Sequence, residues 1–119
     1  MPENVSIPPL GGSKVVQIYI GDDAVLRADS RLPHGLILRD ALDEFGINYE
    51  TFKGIGLSGD VPRREGSGYK LTGAGLCLNT GKKVQLGSNS AQYDIGVDKE
   101  HIEKCREFLE KNGLAVEIM

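Results

Sequence analysis

The 119-residue sequence predicts an α+β fold, a two-layer sandwich with two main helices packed on a mixed sheet of six or seven strands. Three observations carry that reading. Two amphipathic helical stretches each stop at a glycine, and a short strand pattern follows each stop. The charge, apolar and glycine positions of one half also recur in the other at a constant spacing of 67 residues. The third observation predicts an internal ββαβ duplication with pseudo-two-fold symmetry in one domain spanning residues 1–119.

The leader "MPENVSIPPLGGS", residues 1–13, carries Pro2, Pro8, Pro9, Gly11 and Gly12 and has neither a basic start nor an apolar run of signal-peptide length. It reads as a flexible tail. The first unit, residues 14–52, opens with "KVVQI", turns at "GDD" and continues as "AVLRAD". A helix beginning between Ser30 and Pro33 then places Leu38, Ala41, Leu42 and Phe45 on one face and ends at Gly46. Ile47 follows, as expected when the glycine takes a left-handed conformation and the next residue packs back on the last turn. "INYETF" is the returning strand.

The second unit, residues 82–119, repeats that order. "KKVQL" leads through "GSNS" into "AQYDIGV", where Tyr93, Ile95 and Val97 alternate with polar or small residues as in a strand wet on one side. Asp98 is the N-cap of a helix that presents Ile102, Cys105, Phe108 and Leu109 on one face. Gly113 stops it, Leu114 packs back, and "LAVEIM" returns. From Ala24 onward the 67-residue shift gives six identities in 29 pairs, His34 with His101 and Gly46 with Gly113 among them. In each unit the returning strand is expected parallel to the second hairpin strand, with a right-handed crossover through the helix.

Between the units lies a glycine-rich bridge, residues 53–81, in which eight of 29 residues are glycine. Within it "YKLTGAGLCL" reads as one more strand, and residues 54–68 as the mobile part. Backbone freedom at that density is costly unless turns or close approach to a ligand require it. "GIGLSG" fits the letters of a dinucleotide-binding fingerprint. That fingerprint works by delivering glycines to a helix N-terminus, and "DVPRREGSG" follows instead, so no nicotinamide or flavin cofactor is expected. Glycine-rich turns can still expose amide groups to an anion. Gly54, Gly56 and Gly59 with Arg63, Arg64 and Lys70 are the candidate ligand-binding residues, against the plainer account in which the arginines merely balance Asp60 and Glu65.

His34 and His101, at equivalent repeat positions, admit two accounts: exposed first-turn side chains, or paired imidazoles that bind a metal or share a proton. Cys77 and Cys105 are too few for a disulfide framework and lack zinc spacing, so both read as core thiols, with Cys77 as a nucleophile the alternative. A net charge of −3 offers no general attraction for phosphate backbones. No run approaches the roughly 20 apolar residues that span a bilayer. A cytoplasmic protein with neither nucleic-acid nor membrane partners is expected.

"QIYIGDD" and "FGINYETFKGIGLSG" resemble the opening of small PII-like regulators over 22 residues. That resemblance implies a ferredoxin-like fold, trimerisation and nucleotide binding through a loop, although the extra hairpin strand departs from the family's strand-helix-strand order. The expected function is a non-catalytic module binding a small anion or a protein partner through the bridge. The alternatives are an interaction subunit that forms a homo-oligomer, and a small enzyme using His34 and His101 or Cys77.

Overall fold

The structure is a computed structural model and describes residues 2–54 and 59–119. In chain order its elements are β1 (Val5–Ser6), β2 (Gly11–Ile20), β3 (Asp23–Asp29), α1 (His34–Glu44), β4 (Thr51–Lys53), β5 (Asp60–Pro62), β6 (Glu65–Gly66), β7 (Tyr69–Asn79), β8 (Lys83–Gly87), β9 (Asn89–Ser90), β10 (Ile95–Gly96), α2 (Lys99–Lys111) and β11 (Ala115–Ile118). Among the described residues the protein is α+β. Seven strands form one mixed, curled sheet in the order β1-β3-β2-β7-β8-β11, with β6 paired to the start of β7. Only the β1–β3 and β8–β11 pairs of that sheet are parallel among those described. The radius of gyration, 13.2 Å, is close to the roughly 13.5 Å of a compact domain this long.

Both helices form where local chemistry places them. The Asp98 carboxylate accepts the amides of Glu100 and His101, satisfying two first-turn donors that have no intrahelical partner. At the far ends, Gly46 and Gly113 take φ of +69° and +77°. Ile47 N–H then reaches Leu42 C=O at 2.9 Å, and Leu114 N–H reaches Leu109 C=O at 3.1 Å. These are the left-handed stops that the two glycines predict.

The layering differs from the expected sandwich. Successive strand residues point to opposite faces, and β2 and β3 bury both. Val16, Ile18 and Val25 pack with Ile37, Leu38, Ala41 and Leu42 of α1. Their neighbours Val15, Ala24 and Leu26 pack with Ile102, Cys105 and Leu109 of α2. The helices therefore lie on opposite faces of the central strands, giving helix, sheet and helix in place of two layers. This also excludes the ferredoxin-like arrangement, which keeps both helices on one face.

The duplication is not shown, because the two units take different paths. β3 is a seven-residue strand in the main sheet, whereas its counterpart is a turn at residues 91–94 flanked by β9 and β10. Burial of Tyr93 accounts for that turn: its ring joins the α1 cluster, its hydroxyl donates to Pro62 C=O at 2.7 Å, and Asp94 takes φ of +53°. After α1 the chain leaves the main sheet and β4 pairs with β5; after α2 it returns, and β11 runs parallel to β8, the first strand of its unit and not the second. The leader is likewise held in place. β1 pairs with β3, Asn79 Nδ2 donates to Pro8 C=O at 3.0 Å, and the buried Arg27 guanidinium donates to the carbonyls of Glu3 and Asn4. Arg27 also meets Glu44 at 3.0 Å and lies over the Phe45 ring, tying the leader to the end of α1.

Candidate functional site

The bridge residues chosen as an anion site fall into two groups. Gly54 and Gly59 stand at the ends of the β4–β5 hairpin, and Gly54 N–H is already bonded to Gly59 C=O at 2.7 Å. Gly56 lies outside the described residues. Arg63 and Arg64 follow β5, and Lys70, the second residue of β7, stands directly across from Glu65. The Arg63 guanidinium is 3.8 Å from the Glu50 carboxylate, and its backbone bonds to Glu50 C=O and the Tyr69 hydroxyl. Beside them a concavity of about 400 Å³ is lined by Asn48, Tyr49, Glu50, Glu65, Gly66 and Ser67. Two carboxylates at its wall oppose an anion there.

The histidines are buried, contrary to the exposed first-turn account. His34 Nε2–H donates to Gly75 C=O at 2.8 Å and His101 Nε2–H to Ile18 C=O at 2.9 Å. A carbonyl can only accept, so both rings hold their proton at Nε2. Burial lowers the proton affinity of each ring, with its carbonyl bond opposing that effect. The rings belong to helices on opposite faces of the sheet, so they do not form the expected pair. Among the described residues no group of three or more His, Cys, Asp or Glu side chains is placed to hold a metal ion. Burial raises the Cys77 thiol to about 11 and the Cys105 thiol to about 12, so neither offers a thiolate near neutrality.

A surface that sequence reading missed lies on the α1 side of β7 and β8, beyond the reach of α1. The register sets Lys14 and Gly12 of β2 beside Leu76 and Leu78 of β7, and these beside Gly87 and Gln85 of β8. Glu117 of β11 follows, bonded to Lys83 at 3.1 Å. Leu76 is 48% exposed, Leu78 40% and Met119 69%. Met119 leans over Gly87, whereas a side chain added at Gly12 would meet no atom within 4 Å. The result is an apolar concavity of about 420 Å³ whose lining includes Gly12, Lys14, Leu76, Leu78 and Met119. The signal was present in "GLCL", where Leu76 and Leu78 point away from the buried Cys77. A strand apolar on both faces needs two covers, and here the described residues supply one. No protein-family model matches the sequence, and no curated protein matches it.

Proposed function

We propose that the chain is a non-catalytic interaction module that binds a second copy of itself through the open half-face of its sheet. The observation that carries this reading is the exposed run of Leu76, Leu78 and Met119 beside the hollow at Gly12. An apolar sheet face is best covered by another sheet about 10 Å away. An isologous pair would supply one, with Leu78 of each copy entering the hollow beside Gly12 of the other. β7 lies in the glycine-rich bridge, so this reading joins the expected bridge-borne partner with the homo-oligomer alternative. Support against a catalytic reading comes from the two imidazoles, each spent on a backbone carbonyl, and from the two raised thiols.

Sedimentation of the whole chain over a range of concentrations tests it. The native chain is expected to self-associate, while Leu78→Lys and Gly12→Leu sediment as monomers with their unfolding midpoints kept. A central interface side chain contributes about 2 kcal/mol, so each variant should weaken dimerisation roughly thirty-fold. A native chain that stays monomeric at millimolar concentration would sink the proposal.

Anion binding at the bridge is the second reading. Its support is that Arg64 and Lys70 are exposed and make no ion pair among the described residues. Inorganic phosphate should then shift the amides of Arg64 and Lys70 in an NMR titration, and Arg64→Ser with Lys70→Ser should abolish the response. Unmoved amides at both positions would end that reading.

A further inference from the structure

We propose that Gln17, Asp98 and His101 form an acid-sensitive latch that pins the first turn of α2 to β2 while the imidazole is neutral and frees it when the ring gains a second proton. Gln17 has no exposed surface, although it carries a primary amide. Its Oε1 accepts Asp98 N–H at 2.7 Å and its Nε2 donates to Asp98 C=O at 2.9 Å, so one side chain holds both backbone groups of the residue that caps α2. Those two bonds fix which end of the amide is nitrogen. Turning it over would set oxygen against oxygen and N–H against N–H.

The fixed amide then constrains the ring. Gln17 Nε2 lies 3.4 Å from His101 Nδ1, and Cys105 Sγ lies 3.8 Å from the same nitrogen. The Gln17 amide nitrogen can only donate, and the Cys105 thiol, which keeps its proton, donates and accepts only weakly. His101 Nε2 already donates to Ile18 C=O, so a second proton must sit on Nδ1, where the Gln17 amide offers no acceptor and the Cys105 sulfur only a weak one at 3.8 Å. The ring's second N–H then opposes the Gln17 N–H, and turning that amide away, which releases Asp98, relieves the conflict.

The charged groups facing the ring are Asp98, the cap of α2, and Lys104 within it, and they oppose each other. The Asp98 carboxylate is taken up by the amides of Glu100 and His101. Lys104 lies 4.8 Å from the centre of the Tyr19 ring, which meets the imidazole edge-on at 5.0 Å from β2. Among the described residues β3 acts on the ring through the Val25 carbonyl, which favours the charged form, and neither β3 nor β7 brings a charged side chain to it. The latch lies on the opposite sheet face from the proposed dimer surface and does not depend on it.

Nitrogen-15 NMR of the whole chain between pH 8 and pH 4.5 tests the latch. The His101 ring should keep its Nε2–H tautomer below the pH at which a free imidazole is half charged. As it then charges, the amides of residues 99–102 should exchange at least tenfold faster, after correction for the intrinsic pH dependence, while β2 and β7 amides keep their protection. Cys105→Ser supplies a hydroxyl oxygen that accepts from Nδ1 more strongly than sulfur does, so in this variant the ring should charge at higher pH and the turn release at lower pH. A His101 that charges at the ordinary midpoint while residues 99–102 stay protected would overturn the proposal. So would a Cys105→Ser chain whose two transitions match those of the native protein.

Discussion

Gly73→Ala should cost about 3 kcal/mol of folding stability, a large effect for adding one methyl group. A β-carbon at this position would stand 2.1 Å from Gln17 Oε1, 2.7 Å from Asp98 N and 2.9 Å from Asp98 Cβ. Ordinarily alanine is the better strand residue by roughly 0.5–1 kcal/mol, because glycine loses more backbone freedom on folding. Here the methyl lands on the latch. Gln17 is fully buried with both amide atoms engaged, so it cannot swing aside without stranding the backbone groups of Asp98. Each stranded buried group costs about 1–3 kcal/mol, which exceeds the gain in strand preference. Total stability for a chain of this length is roughly 6–18 kcal/mol, so the variant should still fold and its denaturant midpoint can be measured. Combining Gly73→Ala with Gln17→Ala removes the nearest clash but leaves Asp98 N, so the double variant should be less destabilised than the two losses added together. A loss under 1 kcal/mol for Gly73→Ala would mean that β7 and α2 are not held at this distance.

What was legible in the sequence is what short-range hydrogen bonding decides. The Asp98 cap, the left-handed stops at Gly46 and Gly113, and the strand in "YKLTGAGLCL" all follow from residues a few positions apart, and all are present. The partners of those elements were not legible. Val15 and Val16 side by side in β2 state that both faces are buried, but not that different helices bury them. The matched histidines misled for a related reason. They stand at equal distances before Gly46 and Gly113, yet His34 is the first residue of α1 and His101 the third of α2. Equal spacing from a helix stop does not give equal depth at a helix start. Of the candidate site, the arginines and Lys70 were visible as charges, but their setting beside Glu50 and Glu65 depends on the β6–β7 hairpin and the chain after α1. The open half-face could be inferred only from knowing how far α1 reaches.

The same contrast between local preference and distant packing governs Gly35→Ala. Alanine favours a helix by about 1 kcal/mol over glycine, so the sequence alone predicts that this substitution in the first turn of α1 is stabilising. The packing predicts the opposite sign. A β-carbon on Gly35 would lie 2.5 Å from Val61 Cγ1, 2.7 Å from Val61 Cβ and 2.0 Å from Gln92 Nε2. The Gln92 amide is the end of a flexible side chain and can withdraw. Val61 cannot: it is β-branched, restricted at χ1 and fully buried on β5 in the α1 cluster. Relief would require α1 to lift away from β5, loosening Ile37 and Leu38 from Val16 and Ile18. Overpacking of this kind costs about 1–3 kcal/mol, so a net loss near 2 kcal/mol is expected in thermal or denaturant unfolding. Val61→Ala in the same chain should recover part of the loss, because the Cγ1 contact is then gone and only Cβ stays close, even though Val61→Ala alone leaves a cavity. A stabilised Gly35→Ala would place the first turn of α1 clear of β5. The β4–β5 hairpin would then lose its seat against the α1 face of the sheet.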